Sequence, residues 1–254
     1  KPHFLPVIPS GRFLRETLLT RLRLRADLQH LNVADITPVH RLDKDTAGVM
    51  LLSHNPASRA AYQQMFAEKT VQKTYHAVAP TRLDLHYPLT VQSRLVRGES
   101  FFLTQEVDGT PNAQTEIRLL ETRGAVSLYE LKPLTGKKHQ LRVHMMKLGM
   151  PLLNDALYPD VQPAGTEDYA KPLKLLAKNI GFTDPISGEE AACTLVVSKC
   201  RLLFIVRQSL NWRNRLLANC KNWRYFSVLA IFSPFSEISV ITPALLPYNT
   251  VFSI

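Results

Sequence analysis

Two strand-like runs, residues 114–120 and 126–131, lead through a Lys-Pro-Leu-Thr-Gly turn into a helical pattern over about 138–148, and together they constrain this chain most. The two runs read as strands that form a hairpin-like pair. In the helical stretch Leu141, Met145 and Leu148 share one face, and Gly149 supplies the stop. Further strands are expected at 71–78 and 173–182, the second ended by an Asp-Pro-Ile-Ser-Gly turn. The apolar run 49–52 is short enough for a buried strand. Helices are expected over 13–25, where Leu14, Leu18 and Leu22 recur at helical spacing, and from Pro56 to about residue 69. Residues 1–9, with Pro2, Pro6 and Pro9, should be extended and irregular. This order favours an α+β domain with a mixed, mainly antiparallel sheet flanked by helices and loops.

The 254 residues carry 31 basic and 21 acidic side chains, a net charge of +10 that suits a polyanionic partner. The distribution weakens that inference. From Leu195 onward there are seven basic residues and one acid, which leaves 24 and 20 in residues 1–194. Trp212, Trp223, Cys200 and Cys220 also fall late, without clean periodicity. Residues 1–190 therefore read as one domain and 191–254 as an atypical tail, frame-shifted or unrelated. Cys193, Cys200 and Cys220 match neither a disulfide framework nor a CxxC pair, which predicts a reducing, cytoplasmic setting. No signal-peptide pattern is visible, and the start at Lys1 predicts further residues upstream. Pro234, Glu237 and Pro243 interrupt the apolar stretch 226–246, which argues against a membrane span of ~20 apolar residues.

Three clusters carry possible chemistry. The first is His40-Arg41-Leu42-Asp43-Lys44-Asp45-Thr46-Ala47-Gly48. Alone it reads as a polar turn, with Asp and Thr side chains bonding the local backbone. Asp43 and Asp45 lack the further carboxylates a hard-cation site needs, so no metal is expected. The second is Lys73, Tyr75 and Ala77, which alternation places on one strand face. The third is Gly136-Lys137-Lys138-His139-Gln140-Leu141-Arg142-Val143-His144, followed by Gly149, Pro151, Asp155 and Tyr158. A helix start rich in Lys, His and Gln can receive phosphate, although a solvated charged helix would look the same. His139 and His144 lie about 140° apart on a helix, so they cannot form an i, i+4 zinc pair. Leu131 stands where a phosphate loop of the GxxxxGK type would need its first glycine.

Taken jointly and in order, HRLDKDTAG, KTYHAVA and GKKHQLRVHMMKLGMPLLNDALY resemble the RluA branch of pseudouridine synthases. The resemblance covers residues 1–190, and KPHFLPVIPSGR is similar to that family's Lys-Pro segment. Departures are His3-Phe4 for a small residue and glycine, Ala47 for Ser, Lys137-Lys138 for Arg-Thr, and Asn154 for Gly. The resemblance implies the pseudouridine synthase catalytic fold, with its first strand missing here, and isomerisation of uridine in rRNA or tRNA without cofactor. It makes Asp43 the catalytic carboxylate, with Arg142 paired to it and Tyr75 against the uracil. Arg41 would fill the space left by an extruded nucleotide, and His40, Lys73, Lys137, Lys138 and His139 would contact RNA. A monomer with no membrane association is expected. The alternatives weighed are a catalytically silent RNA-binding module, a nucleoside hydrolase using Asp43, and a metal nuclease using Asp43 and Asp45.

Overall fold

The computed structural model describes residues 1–11, 13–24, 28, 33–163, 165–195, 228–232 and 239–241. Two of its helices begin where side chains replace missing backbone partners. Helix α1 (Leu18–Arg23) starts at Thr17, whose hydroxyl accepts from the Thr20 N–H at 3.2 Å. Thr17 is extended, so the helix expected from residue 13 begins only at Leu18 and leaves Leu14 66% exposed. Helix α2 (Pro56–Ala67) follows expectation: Asn55 Oδ1 accepts from the Ala57 N–H at 3.0 Å, and Pro56 occupies a first turn that requires no N–H. Helix α3 (Gln140–Lys147) starts later than residue 138. Gln140 Oε1 accepts from the Lys137 N–H at 3.1 Å and the Thr135 hydroxyl at 2.7 Å, which holds the preceding residues in a turn. Gly149, at φ +71°, ends it as expected.

Strands β1 (Thr37–Pro38), β2 (Ala47–Gly48) and β3 (Leu51–Ser53) frame the first motif. Strands β4 (Gln72–Pro80), β5 (Leu89–Arg97), β6 (Thr104–Val107), β7 (Ala113–Arg123), β8 (Val126–Pro133), β9 (Leu175–Thr183) and β10 (Glu190–Thr194) form the main sheet, in the order β10-β9-β4-β8-β7-β5-β6. These neighbours are antiparallel, whereas β2 joins β9 in parallel. The sheet is therefore mixed and mainly antiparallel, in an α+β fold. Strands β11 (Val228–Phe232) and β12 (Ser239–Ile241) continue a smaller sheet ordered β1-β3-β11-β12. Trp212, Trp223, Cys200, Cys220 and Arg25 lie outside the described residues, as does most of 226–246. Among the described residues no helix is long and apolar enough to cross a membrane.

Successive residues of a strand face opposite sides, and this splits the core in two. Val78 and Leu128 pack with Tyr62 and Met65 of α2, whereas Ala77, Tyr129 and Leu131 pack with Leu141 and Met145 of α3. The β5–β6 hairpin has no counterpart in the expected elements. Ser93 interrupts the alternation of Leu89, Val91 and Leu95, because this core position hydrogen-bonds His144 Nε2 at 2.8 Å instead of packing a hydrocarbon.

The motif loop is pressed against the sheet at Gly48, where φ is +128° and an added Cβ would lie 2.2 Å from the Ala177 carbonyl oxygen. Both strain and overlap would have to be relieved together. Gly48→Ala is expected to destabilise the fold by about 3 kcal/mol or more, read as a lower urea midpoint. An unchanged midpoint would contradict this close approach.

Candidate active site

Asp43 lies between β1 and β2, and its carbonyl accepts from the Thr46 N–H at 3.2 Å to close a tight turn. The N-terminal segment braces this turn. Lys1 Nζ donates to the carbonyls of Pro2, Leu5 and Lys44, each at 2.8 Å. His3, which departs from the family pattern, donates from Nδ1 to the Asp45 carbonyl at 2.7 Å. Burial pulls the His3 pKa down to about 4, so the ring is a neutral donor.

The turn, the start of β4 and the entry to α3 converge on a cleft of about 810 Å³. Asp43, Tyr75 and Arg142 line it, as do His40, Arg41, Lys73, Lys137 and His139. Lys138 is not in its lining, yet its charge acts on Asp43. Tyr75 occupies a register shift: Thr74 pairs with Asn179 but Tyr75 with Ala177, and such a bulge re-aims the side chain beside it. Burial and the nearby Asp43 charge push the Tyr75 phenol above its ordinary value, so it keeps its proton. Burial also raises the Asp43 carboxyl above the usual carboxylate range, against the opposing pull of Arg142, Arg41, Lys1 and Lys138.

Arg142 does not take Asp43 as its direct partner, contrary to the expected pair. Its Nε and Nη2 donate to Asp155 Oδ2 and Oδ1 at 2.8 and 2.5 Å, and both side chains are 1% exposed. The reason is preorganisation. Asp155 Oδ1 also accepts from the N–H groups of Leu157 and Tyr158, so the turn holds a carboxylate fork ready for a guanidinium fork. The Arg142 guanidinium also lies 5.3 Å from the Tyr158 ring centroid. Asp43 thus feels Arg142 through its field. Asp155 and Tyr158 are structural partners that sequence reading left without a role, although both stand in the third motif.

His40 is engaged inside the protein. Its Nε2 accepts from the Leu51 N–H at 2.9 Å, its Nδ1 faces the Arg41 carbonyl at 3.3 Å, and its ring stacks on Phe66 at 4.6 Å. Burial lowers its pKa to about 4. His139, at φ +52°, meets the Tyr158 hydroxyl at 2.9 Å and is held neutral by burial and the nearby Arg142 and Lys138, its pKa down to about 3. His144 is buried between Ser93 and Thr115 and serves the core. The flexible cations lean on one turn: Arg41 donates to Gly136 O at 3.1 Å and Lys73 to Thr135 O at 3.4 Å, while Lys137 is exposed. Asn154 replaces glycine at φ +60°, a conformation Asn tolerates better than most residues. Among the described residues no group of three or more His, Cys, Asp and Glu side chains could hold a metal ion, and Asp45 pairs with Lys44 at 3.3 Å.

Residues 1–147 match the RNA pseudouridylate synthase family. A ribosomal large subunit pseudouridine synthase C from Rickettsia typhi is 35% identical over 177 residues, which cover 66% of this chain and 56% of that protein. A protein of the same name from Vibrio cholerae is 33% identical over 154 residues, covering 60% of this chain and 49% of that protein. The chain thus spans about half the length of such curated relatives. The solved structure of human RNA pseudouridylate synthase domain containing 4 superposes with a TM-score of 0.58 at 25% identity, covering 83% of this chain and 89% of that one.

Proposed function

Because this chain belongs to the RNA pseudouridylate synthase family, we propose that it isomerises uridine to pseudouridine in structured RNA, with Asp43 as the catalytic carboxylate. The observation that carries this reading is Asp43 in the shared cleft, acted on by the charges of Arg142, Arg41, Lys1 and Lys138 and lined also by a protonated tyrosine. The reaction breaks N1–C1′, turns the uracil and joins C5 to C1′. The proton lost from C5 balances the one gained at N1, so neither a redox partner nor a group donor is required. Positive character developing at C1′ calls for an ionised carboxylate, as in glycoside hydrolysis. Arg142, Arg41, Lys1 and Lys138 favour that ionised form against burial.

A uracil stacked in RNA must first leave its stack. Arg41, exposed at the cleft and tethered among the described residues only to the Gly136 carbonyl, is free enough to enter the vacated space. Lys73, Lys137 and Lys138 would meet phosphates, which position an RNA without reading its sequence. His40 and His139, both neutral, would contribute shape to the wall and not charge. The names of the relatives make large-subunit ribosomal RNA the first substrate to try, ahead of transfer RNA.

The test uses unmodified large-subunit ribosomal RNA with tritium at uridine C5, since joining C5 to the sugar must release that label. Release to water by the folded chain is expected; none from either ribosomal or transfer RNA would sink the proposal. Release of free uracil would favour a hydrolase instead, and loss of activity with chelator a nuclease. In the same assay Tyr75→Phe is expected to lower kcat by about 10²-fold with little change in KM, the usual scale for a lost proton-transfer group. A kcat within twofold of wild type would assign Tyr75 a stacking role that needs only the ring.

A further inference from the structure

We propose that the tip of the β5–β6 hairpin is a stacking platform for an unpaired RNA nucleobase beside the cleft, with Phe101 as the stacking ring. The inference rests on the function proposed above only in taking RNA as the partner. Residues 101–103 are Phe-Phe-Leu, and Leu103 alone packs inward, against Leu95, Ala113, Val143 and Tyr158. Phe101 is 70% exposed and Phe102 36%. The exposure does not come from a loose loop. Gly98 N–H donates to the Leu103 carbonyl at 3.2 Å, and Leu103 N–H to that of Ser100 at 2.9 Å.

The tip is also tied to the active site. Lys138, whose charge acts on Asp43, donates from Nζ to the Phe101 carbonyl at 3.3 Å. Thr104 gives its N–H to, and receives the proton of, the Tyr158 hydroxyl at 2.8 and 3.2 Å, and that tyrosine faces the Arg142 guanidinium. Phe102 meets Phe101 edge-on at 5.5 Å and 89°, which sets the ring's orientation. Arg97 places its guanidinium 5.9 Å from the Phe101 centroid. An exposed ring held between Arg97 and Lys138 has the makeup of a single-strand site, where aromatics take base faces and cations follow the backbone. Paired bases already have both faces covered. Extrusion of the target uridine unstacks its neighbours and would supply the base this ring accepts.

The experiment measures binding of the full chain to a short fluorescein-labelled oligouridylate, and to an RNA duplex of equal length, at one salt concentration. Phe101→Ala is expected to weaken single-strand binding about tenfold, the scale of one base–aromatic stack. Phe101→Leu, which keeps apolar bulk without a π-face, should weaken it equally, and Phe101→Trp should restore wild-type binding. Duplex binding should be unaffected by all three. Wild-type single-strand affinity in Phe101→Ala, an equal loss on the duplex, or failure of the wild-type chain to bind the single strand would overturn the platform. Chemistry is a separate readout: Phe101-dependent binding without tritium release would sink the isomerase reading alone. Release with Phe101-independent binding would sink the platform alone.

Discussion

Asp43→Asn is expected to reduce tritium release by about 10⁴-fold or more, the scale seen when a principal catalytic group is removed, while the protein stays folded. Asparagine has nearly the same shape, but it lacks the charge and carries an NH2 donor in place of one carboxylate oxygen. Burial is the largest influence on Asp43 and outweighs four cations, so the folded state disfavours its ionised form. The sign follows directly. A carboxyl whose folded pKa exceeds its unfolded value contributes stability below the unfolded pKa, and loses it as pH rises through the folded one. At neutral pH the neutral asparagine should therefore be at least as stable as the wild type.

The same shift governs the rate. The ionised form is the reactive one, so kcat/KM should rise with pH along an acid limb centred above the ordinary aspartate value of about 4. A thermal melt and a tritium assay on one preparation separate the two effects. Equal release by Asp43→Asn would remove Asp43 from the chemistry, and a lowered melting temperature would contradict the balance of burial over attraction.

Breaking the Arg142–Asp155 pair should have the largest effect on stability. Both side chains are 1% exposed, and Asp155 is the only carboxylate bonded directly to the guanidinium among the described residues. Asp155→Asn leaves a buried cation with a neutral partner, which is expected to cost about 3–5 kcal/mol and on the order of 10 °C in melting temperature. Activity should fall as well, because the guanidinium loses the fork that holds it near Asp43. The double variant Asp155→Asn/Arg142→Met distinguishes a pair from two separate sites. It should be less destabilised than the two single changes added together, whereas simple additivity would mean the residues do not depend on one another.

What the sequence determined by itself was local. Asn55-Pro56 starts a helix, Gly149 ends one, and the short apolar-rich runs of β7 and β8 mark strands, because caps and local composition act within a few residues. The three motifs likewise carried the family and marked Asp43, Tyr75 and Arg142 before their proximity was visible. Only the tertiary structure decided which groups meet. Arg41 reaches a carbonyl 95 residues away, and Ser93 breaks an apolar pattern to serve a histidine 51 residues away. Arg142 turns to Asp155 because a rigid backbone turn has already aimed that carboxylate. Asp43 was legible as the acid of its motif, but its raised pKa was not: burial is set by every element packed around the cleft, and no local pattern encodes it.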